Sequence, residues 1–346
     1  KLGVVTYHYE GYNTQDIYSG SYRDLVIESE FAALSIARLN LSGTLSGAGT
    51  LIITTSATGD NGRVVANKEG KFLSVSYGDG VLSGFFGGDY QNLSISGAGD
   101  KTISNDIVVH GDVFAMGSFR GQGNLEFMGR ILGSATFGTG TAAYAGSVTY
   151  SGSSIAQTIY GGHYSSLIFS NDAKTINLAV TVDSLTTSSD ISVEDGAEVT
   201  FKQTVVDGSS NITVGRESTL NITLTAGRTQ PVFSNSGTLV VTGQGGVIEF
   251  NNQNLTNNGL FRVSGNSVVV LNNIKIDNAL SSYEVDAGSS LTLAGFYGVN
   301  EKGEQVPVTV AGLTSNGELV LDGSSLVVNG AVACSGSLVM KNASVL

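Results

Sequence analysis

Cysteine, proline, tryptophan and histidine are almost missing from this chain of 346 residues, and each shortage removes a class of explanation. Cys334 is the only cysteine, so no internal disulfide framework exists. Its setting, Val332-Ala333-Cys334-Ser335-Gly336, predicts a small core residue rather than a nucleophile. The absence of tryptophan weakens any broad platform for stacking sugars. The three histidines, His8, His110 and His163, show no metal-ligand spacing, and His110 and His163 read as variable turn positions. No apolar run approaches the ~18 residues of a spanning helix. GxSxG, a P-loop and tandem calcium-binding repeats are all missing, and Gly43–Gly49 and Gly97–Gly99 read as turns with no helix behind them to bind phosphate. No cofactor and no metal is expected.

Charge is also sparse, at 13% of residues, and it is one-sided: the net charge is −12. An acidic surface repels nucleic-acid phosphates and anionic membrane, which disfavours both as partners, and it keeps a long β-protein soluble.

What remains is the vocabulary of strands and tight turns. The 47 glycines stand among Ser, Thr, Asn, Val, Leu and Ile, against only 2 prolines. A hydrophobic content of 41% is too high for a disordered linker. Helical periodicity is confined to Glu28–Ala37, where alignment with the repeats described next predicts strand and turn instead.

A block of about 70 residues recurs three times. Its copies carry Val5-Thr6-Tyr7 with Gly20-Ser21-Tyr22, Val75-Ser76-Tyr77 with Gly88-Asp89-Tyr90, and Val148-Thr149-Tyr150 with Gly162-His163-Tyr164. Each second tyrosine precedes a leucine by three positions: Leu25, Leu93 and Leu167. A finer period governs the second half. Gly237-Thr238-Leu239 and Gly259-Leu260-Phe261 lie 22 apart, and Gly317-Glu318-Leu319 and Gly336-Ser337-Leu338 lie 19 apart. A unit of 19–22 residues with about three short strands predicts one coil of a parallel β-helix. Roughly 16 coils at ~4.8 Å each would span on the order of 75 Å. Residues 1–346 are thus expected to form a single continuous solenoid, with the tyrosine blocks over 1–200 holding roughly three coils each and Asn/Ser/Gly-rich coils over 201–346. A β-sandwich array would want longer strands and a longer repeat. The least periodic stretches, Ala57–Lys71, Thr136–Ala145 and Gly298–Pro307, are expected to protrude as loops.

Candidate chemistry is thin. Asp183, Asp190, Glu194, Asp195 and Glu198 form the densest carboxylate cluster, of the kind a polysaccharide lyase or hydrolase would pair across adjacent coils. Alternation with Val193 and Val199, and the turn pair Asp195-Gly196, favour solvated positions instead. Asp60-Asn61-Gly62 and Asp79-Gly80 are turn sequences. The recurring tyrosines Tyr22, Tyr90 and Tyr164 are candidate binding residues, either as a glycan-binding ladder or as rings stacked inside the core.

The run from Val75 to Val113, with its Val-Ser-Tyr, Gly-Asp-Tyr and Ser-Gly-Ala-Gly-Asp-Lys-Thr-Ile elements, resembles repeats of large secreted bacterial surface proteins. The Gly-x-Leu-x-Val rungs of the C-terminal half resemble autotransporter passenger domains and filamentous-haemagglutinin-like adhesins. Gly245-Gly246-Val247-Ile248 and Phe250-Asn251-Asn252-Gln253 are imperfect echoes of chlamydial polymorphic outer-membrane protein motifs. The resemblance implies a right-handed parallel β-helix, secreted to a bacterial cell surface, acting without catalysis as an adhesin or stalk. Its partner would be a glycan or protein on a host or neighbouring cell, with self-association into a surface layer or filament as another outcome. A polysaccharide-active enzyme is the alternative. The strand-like opening at Lys1-Leu2-Gly3-Val4-Val5 and ending at Ser344-Val345-Leu346 read as those of a fragment.

Overall fold

The computed structural model describes residues 2–59, 61–138, 141–206, 210–251, 255–273, 281–299 and 302–346. No helix occurs among them, and the described ladders are parallel apart from one antiparallel pair, giving an all-β parallel solenoid of about 17 turns. Contacts divide the chain into two compact units, Lys1–Asp172 and Ala173–Leu346.

In the first unit one strand position recurs, hydrogen-bonded in register, at Val5, Leu25, Leu45, Val64, Gly88, Ile107, Leu125, Val148 and Leu167. A second side of the coil runs through Leu34, Leu51, Val75, Leu93, Val113 and Ile131. Strands are short because each side of a coil is only a few residues wide. Alternation of period two then sends every other residue inward, as in Leu93-Ser94-Ile95 and Ile107-Val108-Val109, whose first and third side chains are buried. Lys101 occupies such an inward position opposite Phe119 and is fully buried.

In the second unit the equivalent series is Val180, Val199, Leu220, Leu239, Phe261, Tyr283, Leu313 and Val332. The long step from Tyr283 to Leu313 accommodates an excursion, in which Gly298–Val299 pairs antiparallel with Gln305–Val306. That is the loop expected at Gly298–Pro307.

Several expectations change on contact with this geometry. Glu28–Ala37 lies within one long strand, Gly20–Leu41, which bends through register shifts at Glu28/Ala33 and Ile36/Arg38 rather than through a turn. The glycines at 43–49 also belong mostly to a strand, Thr44–Thr58, not to a turn. Gly47 is required there: its φ is 137°, and an added Cβ would lie 1.8 Å from the Ile27 carbonyl oxygen of the preceding coil. Within Ala57–Lys71, Ala57–Thr58 and Arg63–Val64 are strand, the latter pairing on both sides, so among the described residues 59, 61–62 and 65–71 leave the sheet. In Thr136–Ala145, Thr136–Phe137 and Tyr144–Ala145 are strand, and 139–140 lie outside the described residues. Cys334 is exposed rather than buried, on a strand whose one described neighbour is Gly312–Ser315.

The block is also not a whole number of coils. Tyr77 stands in register with Ile53 and Ile95 on the second side, whereas Tyr150 stands with Phe127 and Phe169 on the first. Successive copies therefore present their tyrosines on different sides of the coil.

Candidate functional site

The repeated tyrosines meet in pairs, one pair per copy. In the second copy Tyr77 and Tyr90 are both fully buried with hydroxyl oxygens 3.1 Å apart. The Tyr90 hydroxyl donates to the Phe86 carbonyl at 2.5 Å, and the Phe86 backbone N–H donates to the Tyr77 oxygen at 3.1 Å. With the Tyr90 proton committed to Phe86, the Tyr77 hydroxyl donates to Tyr90, which closes a ring of three hydrogen bonds. The third copy repeats this: Tyr150 and Tyr164 lie 3.4 Å apart, Tyr164 donates to the Tyr160 carbonyl at 2.6 Å, and Tyr160 N–H donates to Tyr150 at 3.3 Å. In the first copy Tyr7 and Tyr22 are 3.3 Å apart and Tyr22 donates to the Tyr18 carbonyl at 2.5 Å. Here Tyr7 is half-exposed and Tyr18 is 84% exposed.

The arrangement clamps the loop between the two tyrosines by the backbone four residues before the second. It satisfies polar groups that burial would otherwise leave unpaired. Burial, partly offset by the hydrogen bonds it shares with Tyr90 and the Phe86 N–H, pushes the Tyr77 hydroxyl up to about 12. Burial likewise raises Tyr90, Tyr150 and Tyr164, which stay neutral and keep their protons for the clamp. Tyr22, Tyr90 and Tyr164 are at most 1% exposed, so no ring face of the three is open to a ligand. Tyr90 and Tyr164 also stand at different register positions, beside Val109 and Tyr144 respectively, and form no ladder.

The histidines are dispersed. His8 is exposed between Glu10 at 3.1 Å and Glu28 at 3.3 Å, whose carboxylates raise its pKa, Glu10 foremost. His110 stacks on Phe72, with ring centroids 4.3 Å apart, and meets Asp89 at 3.3 Å. His163 is half-buried.

The carboxylate cluster does not converge. Asp183 pairs with Lys202 at 2.7 Å, Asp190 accepts the Asn211 backbone N–H at 2.8 Å, and Glu194 accepts the Ser192 hydroxyl. Asp195 takes a φ of 55° in its turn, and Glu198 is exposed. Among the described residues no three of His, Cys, Asp and Glu are placed to hold a metal ion. Asp60, Asn252 and Gln253 lie outside the described residues.

Space for a ligand is found outside rather than inside. One interior gap of the first unit, lined by Ile95, Val113, Phe119 and Phe127, holds about 10 Å³, at the lower limit for a single water molecule and far too little for a sugar. On the exterior of the same unit lie clefts of about 420 Å³ (Ser19, Arg38, Asn40, Thr58), 410 Å³ (Thr58, Ser83, Ser104, Asn105) and 290 Å³ (Asn61, Arg63, Asn105, Asp106). Composition gave no hint of these residues. The signal was their spacing, with Asn40, Thr58 and Asn105 returning near one corner of the coil.

Comparison of the chain with protein-family models, curated proteins and solved structures returns no match.

Proposed function

We propose that this chain is a non-catalytic, secreted β-solenoid displayed at a bacterial surface, where it mediates attachment or carries a binding region. The observation that carries this reading is the fate of the repeated signal. The side chains that recur most faithfully, three tyrosine pairs, are used up in clamping loops to the scaffold. Selection for repetition of this kind is selection for form, and the variable outer corners are left to make contacts. Resemblance to adhesin and passenger-domain repeats points the same way.

The test uses the purified chain coupled to inert beads and a panel of glycan- and matrix-coated surfaces. Saturable bead retention, blocked by the free chain, is the expected outcome. Release of new reducing ends or unsaturated sugars from a polysaccharide, with turnover, would overturn the reading in favour of an enzyme.

A further inference from the structure

The three exterior clefts of the first unit are one feature. The first two share Thr58 and the second and third share Asn105, so they run on from each other. Their linings come from one corner of five successive coils, at Ser19, Arg38, Thr58, Ser83 and Asn105. Four coil spacings amount to ~19 Å of groove. Glycines keep its floor bare for a backbone reason: a Cβ at Gly84 would lie 2.1 Å from the Ala57 carbonyl oxygen, and one at Gly88 would lie 2.0 Å from that of Val64.

The groove has a charge signature. The first unit holds five arginines. Arg23, Arg120 and Arg130 are ion-paired with Asp24, Asp100 and Asp112, each within 2.7 Å. Arg38 and Arg63 have no carboxylate partner among the described residues, and both line the groove. Around them stand hydroxyl and amide side chains and, among the described residues, one carboxylate, Asp106, one oxygen of which accepts the Asn124 backbone N–H at 2.7 Å. A free guanidinium fork fits a carboxylate, and serine, threonine and asparagine fit sugar hydroxyls.

Resting on the attachment reading, we propose that this groove binds a linear, carboxylate-bearing glycan of the uronic-acid type, with Arg38 and Arg63 holding carboxylates and the corner hydroxyls and amides holding the sugar rings.

The probe is a set of oligogalacturonates, with their methyl esters as neutral counterparts, titrated into the purified chain by calorimetry. Expected are saturable binding of the free acids, affinity rising with length until the groove is filled, and little binding of the esters. R38A and R63A each weaken binding about tenfold, and the double variant abolishes it. Both side chains are exposed, so these variants fold; R130A, outside the groove, serves as control. Unchanged affinity in the double variant, equal binding of the esters, or no binding of the acids overturns the groove assignment. Bead attachment separates the two readings. Beads that attach while the acids do not bind leave attachment standing and remove the groove; groove-dependent binding without bead attachment does the reverse.

Discussion

The two units build the same parallel coil and share acid-to-backbone bonds between coils, as at Asp190 and Asn211 of the second, but differ in the chemistry inside. In the first, tyrosine pairs clamp loops from inside, and acidic or amide side chains reach outward to the next coil: Asp24 to the Thr44 N–H at 2.9 Å, Asn92 to that of Asp112 at 2.8 Å, Asp106 to that of Asn124 at 2.7 Å. In the second, small buried polar groups stack from coil to coil. Asn235 donates to Asn257 at 2.8 Å, and Ser289 and Ser267 accept backbone N–H groups of Ser267 and Gly243. Beneath them runs a file of rings, Phe233, Phe250, Phe261, Tyr283 and Phe296, with neighbouring centroids 5.8–6.2 Å apart. A clamp that ties a loop suits coils of uneven length; a ladder suits coils that repeat closely. Coil steps agree: they range from 18 to 24 residues in the first unit, and from 19 to 22 between Val180 and Tyr283 in the second.

Emptying either interior should produce the largest effect. Tyr164→Ala and Phe261→Ala each remove a buried ring and should cost ~3–5 kcal/mol. In a stacked array the damage is local, so hydrogen exchange resolved by peptide is the measurement. Faster exchange confined to coils flanking the substitution is expected. Exchange accelerated equally across the whole chain would contradict nearest-neighbour stability.

Removing only a hydroxyl sharpens the contrast. Tyr90→Phe strips the Phe86 carbonyl of its donor and breaks the hydrogen-bonded ring, at a cost of roughly 1–3 kcal/mol. Tyr283→Phe should be neutral or slightly stabilising. Its hydroxyl is buried near Asn257 and Ser281 but meets no partner at hydrogen-bond geometry among the described residues, and burial holds its pKa up at about 12. Paired unfolding measurements would show whether Tyr90 is a clamp and Tyr283 a filler. Equal costs would erase the distinction.

The same protons give an alkaline limit. An unfolded tyrosine ionises near 10, whereas Tyr77 in the fold ionises at about 12 and Tyr90, Tyr150 and Tyr164 are raised as well. Their contribution is complete below pH ~10 and is lost as pH rises from there through the folded values, because the unfolded chain sheds protons first. Exchange in the clamp coils should accelerate above pH ~10 before that of the asparagine ladder at Asn235 and Asn257, and Tyr90→Phe should blunt the dependence.

A smaller effect of opposite sign is expected at Lys101. Its side chain is covered completely, its ammonium has no hydrogen-bond partner among the described residues, and burial lowers its pKa against the opposing pull of Asp79. Lys101→Met keeps the length and removes the charge, and should raise stability by roughly 1 kcal/mol. A loss instead would show that the lysine has a role beyond filling space opposite Phe119.

Much of this contrast could be read from the sequence, and the limits have physical causes. Tyr77 and Tyr90 were visible as a recurring pair, but spacing along the chain does not say which side of a coil a residue occupies when the block is not a whole number of coils. The inward face followed from alternation at Leu93-Ser94-Ile95; the clamp did not, because it depends on a backbone carbonyl four residues before the second tyrosine. Ion pairs were legible in principle once the coil length was known: Arg120 follows Asp100 by 20 residues, and Arg130 follows Asp112 by 18. The coil register instead puts Ser19 and Ser56 beside Arg38, and Thr44 and Gly87 beside Arg63. That gap marks the groove.

The pair at Arg130 supplies the smallest effect and the clearest separation of charge from geometry. Asp112 accepts both the Arg130 guanidinium and, at 3.2 Å, the Arg130 backbone N–H. The guanidinium is 60% exposed and the carboxylate 34%, so solvent screens their attraction. Arg130→Ala should therefore have the smaller effect of the two, with most of it gone in 1 M salt. Asp112→Ala removes the acceptor of the backbone N–H as well and should cost roughly 1–2 kcal/mol, largely independent of salt. Arg130 foremost holds the Asp112 carboxyl below its ordinary range, so its contribution is complete above pH ~4 and is lost as pH falls through the folded value. If the two substitutions cost the same and respond alike to salt, the outer ladder of the first unit is held by ion pairs. If Asp112→Ala costs more, it is held by side chains bonded to the next coil's backbone, the same principle that the second unit applies with asparagine and serine inside.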